Sequence, residues 1–86
     1  MDDDTLKLIS HINISTYRLK TVKALDDGEK TPTQISKFTG IRLNHISGVL
    51  KHLKDLNIVI CINEEKRRNR IYKLTSLGQS IVDYLE

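Results

Sequence analysis

The stretch that decides the fold of this chain is residues 42–60, RLNHISGVLKHLKDLNIVI. Apolar side chains recur along it at helical spacing, at Ile46, Val49, Leu50, Leu53 and Leu56. This spacing predicts one helix over about residues 43–56 with a single buried face. Asn57 follows as a residue that adopts the left-handed conformation readily, and the β-branched run after it predicts a strand. The first turns of the helix carry small polar residues and a histidine outside the apolar stripe.

The segment before this helix, TPTQISKFTG at residues 31–40, predicts a second, shorter helix. It is marked by an N-cap, a proline at the first helical position, a capping-box glutamine and a terminating glycine, at Thr31, Pro32, Gln34 and Gly40. We expect Ile35 and Phe38 to face inward from it. A short helix and a longer one joined by a glycine-containing turn form the helix-turn-helix signature.

A β-hairpin is predicted directly after the longer helix. Residues 58–63, IVICIN, and residues 70–75, RIYKLT, have the composition of short strands, and the polar turn EEKRRN separates them. The hairpin covers about residues 59–74 and has a long basic tip. A hairpin in this position is the wing of a winged helix.

Two further helices complete the prediction. One begins at the N-cap Ser15 and ends near Gly28, and the last begins at Thr75. The last helix should face inward with Leu77, Ile81, Val82 and Leu85. Residues 1–14 form an N-terminal arm or a short helix, and residues 15–86 form the winged helix-turn-helix domain. The predicted fold is mainly α with a small β-hairpin: a three-helix core, a two-stranded wing and a C-terminal helix.

The composition is that of one small domain with an uneven charge. A monomer of 86 residues is marginally stable, which favours oligomerisation. There is no apolar run of membrane-spanning length, the N-terminus is acidic and Cys61 is the single cysteine, so we expect a cytoplasmic protein. Residues 42–73 carry eight basic and three acidic residues, a net +5 against −2 for the remainder. An anionic partner should therefore meet the second half of the chain.

The segments ISGVLKHLKDLNIV, residues 46–59, and RIYKLTSLGQSIV, residues 70–82, resemble those of winged helix-turn-helix transcription regulators of the MarR and ArsR type, especially the small archaeal forms. The resemblance covers about residues 15–85. It implies a regulator, usually a homodimer, that binds double-stranded DNA through the longer helix, its recognition helix. Two departures stand out: the family often has Gly at Asn57, and Ser or Thr where this chain has Arg42 or Leu43.

Three groups of residues are the candidate DNA contacts. The first residues of a recognition helix meet base edges in a major groove about 12 Å wide; here they are Arg42, Asn44, His45, Ser47, Gly48 and Lys51. A basic wing suits a narrow minor groove or the flanking phosphates; its residues are Lys66, Arg67, Arg68 and Arg70. The start of the short helix suits a phosphate; its residues are Thr31, Thr33, Gln34 and Lys37.

The recognition-helix and wing groups have a plainer interpretation as solvated polar surface, and the group at the start of the short helix has one as helix capping. The whole domain also has an alternative function. Some winged helices bind protein within larger assemblies and do not bind DNA. The sequence contains no catalytic motif, so we expect no enzyme and no cofactor. His45, His52 and Cys61 lack the thiolate spacing of a metal sensor, so no metal is expected either.

Dimerisation is expected to use the two ends of the chain. Residues 5–17, TLKLISHINISTY, and the last helix near Ile81, Tyr84 and Leu85 carry apolar side chains beyond the needs of a small core. A dimer would place two recognition helices about one DNA turn apart and would favour a pseudo-palindromic site.

Overall fold

The computed structural model describes residues 3–85, apart from the side chains at positions 13 and 14. Its elements follow the predicted order: α1 (Asp3–Ile14), α2 (Thr16–Asp26), α3 (Pro32–Thr39), α4 (Leu43–Asp55), β1 (Val59–Cys61), β2 (Tyr72–Leu74) and α5 (Ser76–Leu85). This confirms the mainly helical fold with a two-stranded hairpin. Along the described residues, no helix combines the length and apolarity needed to cross a membrane.

The predicted helix signals lie where the helices begin and end. At the start of α3 the Thr31 N–H donates to Oε1 of Gln34 (2.9 Å), and the Gln34 N–H donates to Oγ1 of Thr31 (3.2 Å), which completes the capping box. Gly40 ends α3 with a left-handed backbone, φ 79°. Asn57, with φ 62°, does the same after α4. Local hydrogen-bonding chemistry therefore sets the turn between the two helices of the motif.

One apolar core joins every helix. α4 contributes Ile46, Leu50 and Leu53, α2 contributes Val22 and Leu25, and α5 contributes Ile81 and Val82. α1 is a helix that packs against α2 and α5 and buries Ile9 and Ile12 in the same core.

Two predicted core or interface positions are wrong. Phe38 does not face inward: its side chain is 57% exposed, and the ammonium of Lys30 lies 4.8 Å from its ring centroid. In the short α3 only Ile35 is buried, and the left-handed turn at Gly40 brings in Ile41 as the next core residue. Ile81, expected at a dimer interface, is fully buried within the monomer.

The wing is fixed at its root to both neighbouring helices. β1 and β2 pair antiparallel, with Val59 opposite Leu74. The hydroxyl of Thr75, directly after β2, donates to the carbonyl oxygen of Asn57 (2.7 Å) and accepts from the N–H of Gly78 (3.0 Å). Gly78 rests against the carbonyl oxygen of Ile58, and a Cβ at this position would collide with it. These contacts therefore fix the orientation of the hairpin relative to α4 and α5.

Candidate nucleic-acid interface

The helix α4 presents a small polar face to solvent. Successive residues of a helix are about 100° apart, so the face opposite the buried Ile46 carries Asn44, Gly48 and Lys51. All three are exposed. We call these three residues the outer face of α4. Nothing lies within 4 Å of a Cβ built at Gly48, so this face is open along its middle. It can approach a surface closely because its side chains are short or flexible.

One flank of α4 meets the wing in an open cleft, the wing cleft. Its polar lining comes from three elements: the start of α3, α4 and the wing. These residues are Thr31, Thr33, Ser47, Arg67, Arg68, Asn69 and Arg70. The structure therefore brings together residues from all three predicted groups, although they are up to 39 positions apart in the sequence. Lys37, one turn after Thr33 on α3, is exposed and lies outside the lining of the cleft.

Several hydroxyl and amide groups near this cleft are engaged within the protein. The Ser47 hydroxyl donates to the carbonyl oxygen of Leu43 (3.2 Å). Thr31 and Gln34 bond each other in the capping box. Arg42 is the N-cap residue of α4, and its side chain makes no capping bond. The predicted departure from a Ser or Thr cap thus leaves the Arg42 guanidinium outside the helix terminus.

Arg70 shapes the wing from within. Its Nε donates to the carbonyl oxygen of Lys66 (2.6 Å), and one terminal nitrogen donates to that of Glu64 (3.2 Å). Asn63 closes the other side, where its Oδ1 accepts from the N–H of Ile71 (2.7 Å) and its Nδ2 donates to the carbonyl oxygen of Asn69 (3.2 Å). Hydrogen bonds from these two side chains to the main chain therefore hold the wing turn in one conformation.

The cations of the tip project from this loop. Lys66, Arg67 and Arg68 are exposed, whereas Arg70 is half-buried. The sequence pattern identified the four cations but not the two asparagines that support them. Asn69 has φ 55°, a left-handed conformation in which Asn is enriched. An Asn within this polar turn was therefore the one sequence signal that indicated its role.

An ion pair joins the wing to the second half of α4. Lys54 and Glu64 pair and hydrogen-bond, and this bond raises the pKa of Lys54 and lowers the pKa of Glu64. Both side chains are about half exposed, so the pair adds little stability. It does offset the negative charge of Glu64 next to the basic tip.

The other flank of α4 faces α2. The rings of His45 and Tyr17 lie with centroids 5.2 Å apart, so His45 turns away from the wing. Arg42 and Lys20 line one depression beside the α3–α4 turn. Sequence reasoning missed Tyr17 and Lys20, because nothing in the pattern of α2 says which of its residues lie beside α4.

His52, the other histidine of α4, and Cys61, the single cysteine, contact different partners. Nε2 of His52 lies 2.8 Å from Nε2 of His11 in α1. Cys61 is half-buried, with its Sγ 3.6 Å from Oδ1 of Asn63. The described part of the chain contains no cluster of three or more His, Cys, Asp or Glu side chains that could hold a metal ion.

No protein-family model matches the sequence, and it has no match among curated proteins. Solved structures match in fold. BpsR of Bordetella bronchiseptica, whose DNA binding is regulated by 6-hydroxynicotinic acid, superposes with a TM-score of 0.77 at 22% identity. The match covers 99% of this chain and 60% of the BpsR chain. A protein of Enterococcus faecalis V583 assigned as a transcriptional regulator of the MarR family superposes with a TM-score of 0.76 at 24% identity.

The second match covers 99% of this chain and 80% of the Enterococcus protein. The predicted resemblance to MarR-type proteins is thus supported in fold, and its ArsR and small archaeal parts stay predictions. This chain has the winged helix-turn-helix fold of these two proteins, one of which is assigned to the MarR family.

Proposed function

We propose that this chain is a transcription regulator that binds double-stranded DNA in a sequence-specific manner as a homodimer. α4 lies in the major groove, and the wing contacts the backbone or the adjacent minor groove. The observation that carries this proposal is the wing cleft, where exposed arginines of the wing share one opening with Ser47 of α4, which is adjacent to Gly48 of the outer face. The DNA binding named for BpsR and the regulator assignment of the Enterococcus protein agree with it.

Base reading falls to the outer face of α4. The carboxamide of Asn44 suits a bidentate pair with adenine, and the ammonium of Lys51 suits guanine. Gly48 between them adds no side chain, so the helix axis can approach the bases. Asn44→Ala should therefore lose discrimination at particular base pairs, at about 1–3 kcal/mol for each good bidentate contact.

In this proposal, the wing and the start of α3 contact the phosphate backbone of the DNA. Arg67 and Arg68 are exposed at the tip, and Thr33 is exposed in the first turn of α3. Phosphate contacts are independent of sequence and sensitive to salt, with a slope of about −0.9 per phosphate in log K against log salt. Lys66, Lys37 and Arg42 add positive charge around the same surface.

A homodimer would be formed through α1 and α5. These helices pack together, and on them Leu6 is 41% and Tyr84 58% exposed. Exposed large apolar side chains on adjacent helices are suited to a self-complementary interface. Tyr84→Lys should therefore convert the dimer to a monomer in light scattering while the helical circular dichroism is retained.

Fluorescence anisotropy with a random-sequence duplex of roughly 30 base pairs, enough for two half-sites, tests DNA binding. We expect micromolar binding at about 50 mM salt that is largely lost at about 200 mM. Arg67→Ala with Arg68→Ala should reduce the salt slope by up to about 1.8, two phosphates' worth, in every sequence. Absence of binding at the lower salt would contradict the proposal and favour a protein-interaction module.

A further inference from the structure

We propose that the α2 side of the recognition helix is a second phosphate-binding edge that holds the DNA strand on the side of the major groove away from the wing. This α2 edge consists of Tyr17, Lys20, Lys23 and Arg42. The inference rests on the proposed function, because it concerns the same DNA. It adds Tyr17, Lys20 and Lys23 of α2 to the contact surface, and none of these three was among the candidates from the sequence.

A helix in a major groove about 12 Å wide has a phosphate strand on each side. The wing cleft occupies only one flank of α4. The opposite flank begins at His45, whose ring lies against Tyr17. Whatever strand borders the groove on that side therefore passes over α2.

The protein surface is continuous from the outer face of α4 onto α2. Asn44 and Gly48 of the outer face share a shallow depression with Tyr17. Tyr17 also lines the next depression, together with Lys20 and Arg42. Lys20 in turn lines a third with Lys23 and the exposed Phe38. The outer face thus runs without interruption onto three cations.

The three cations of the α2 edge are available to bind a phosphate. Lys20, Lys23 and Arg42 are exposed, and none of them forms an ion pair within residues 3–85. Two acids follow Lys23 at the end of α2, and both are engaged elsewhere. Asp26 accepts from Nε2 of Gln79 in α5 (2.8 Å), and its neighbour Asp27 pairs with Lys30.

The edge also carries a neutral phosphate donor. Tyr17 is 43% exposed, and its contact with His45 holds the ring beside the outer face. A phenolic hydroxyl is a donor used for phosphate oxygens in protein–DNA complexes. The edge therefore combines three cations with one neutral hydroxyl donor, and both kinds of group are used for phosphate contacts.

The test compares two double variants of the edge. Lys20→Ala with Lys23→Ala removes both charges, and the control Lys20→Arg with Lys23→Arg keeps them at the same two exposed positions of α2. Anisotropy titrations over a range of salt concentrations give the slope for each, and circular dichroism checks folding. We expect the edge variant to lose up to about 1.8 from the salt slope, with equal loss in every duplex sequence. The control variant should keep the slope of the wild type.

The outcomes separate this inference from the proposed function. If the wild type binds and the wing variant Arg67→Ala with Arg68→Ala weakens binding, but the edge variant behaves like the control, the α2 edge is wrong and DNA binding stands. If the wild type fails to bind at low salt, both fall together. Tyr17→Phe supplies an independent readout, since loss of affinity without change in the salt slope identifies the phenol as a neutral contact.

Discussion

Nε2 of His11 and Nε2 of His52 lie 2.8 Å apart, so an imidazole pair joins α1 to α4. Their ring centroids are 5.0 Å apart and the planes tilt by 43°. One ring must donate and the other accept, which is impossible when both are protonated. Arg18 of α2 places a positive group beside the pair, because its guanidinium donates to the carbonyl oxygen of His11 (3.3 Å).

We expect the stability of the protein to fall as the pH drops below 6.5. Burial, then the charges of Arg18 and His52, lower the pKa of His11 from its ordinary value of 6.5. The unfolded chain therefore binds this proton more readily, so the free energy of unfolding is highest above pH 6.5 and decreases below it. Urea unfolding of the wild type and of His11→Gln between pH 7.5 and 5 measures the effect.

The matched control for the histidine pair is His45→Gln, which leaves it intact. His45 lies on the same helix but contacts Tyr17 instead. The decline between neutral and acid pH should be smaller in His11→Gln than in the wild type and unchanged in His45→Gln. Equal declines in all three proteins would show that the pair contributes nothing to the pH dependence.

Gly78→Ala should destabilise the fold. The added Cβ would meet the carbonyl oxygen of Ile58, which is backbone and cannot rotate away. Overpacking of this kind costs about 1–3 kcal/mol. Thermal or urea unfolding compares this variant with Ser80→Ala, a substitution on the exposed side of the same helix. A Gly78→Ala variant as stable as the wild type would mean that α5 does not rest on the wing root as described.

Gly48→Ala should stabilise the protein and weaken DNA binding at the same time. A Cβ at this position meets no atom within 4 Å, and alanine is favoured over glycine inside a helix by about 0.5–1 kcal/mol. The same methyl group would stand between Asn44 and Lys51, where we propose close approach to the bases. Unfolding and anisotropy measured on one preparation separate the effects. Unchanged affinity in the more stable variant would argue against close approach.

Arg70→Ala should alter the conformation of the wing, whereas the variants of the tip should not. Removing Arg70 takes away the two bonds that hold the carbonyl oxygens of Lys66 and Glu64. The tip should lose its conformation, which hydrogen exchange of the wing amides would detect. Arg67→Ala with Arg68→Ala should instead leave the exchange unchanged and lower only DNA affinity. If Arg70→Ala leaves the exchange unchanged as well, the loop does not depend on this side chain.

Local signals predicted most of the fold, because caps and turns depend on neighbouring residues. Thr31, Gly40, Asn57 and Thr75 all act within a few positions of themselves, apart from the bond of Thr75 to the wing root. The prediction that Phe38 faces inward was wrong because helical spacing predicts which residues share a face. It does not predict how much of that face the neighbouring elements cover.

The parts of the candidate site that were missed depend on long-range packing. The partner of His52 is 41 positions away, and Tyr17 meets His45 only because α2 packs against α4. The basic residues of the wing were visible as a cluster, yet the internal bonds of Arg70 follow from the path of the turn. Composition locates charge, whereas the role of each charge follows from the tertiary structure.

The root of the wing has a consequence for how such a protein can change over time. Thr75, Gly78 and Asn57 hold the hairpin at its base, and the main chain of Lys30 pairs with that of Tyr72. None of these contacts involves the exposed side chains at residues 66–68. Descendants of this chain can therefore exchange those three residues without redirecting the wing, and under the proposed function such exchanges would change the DNA flank that the protein prefers.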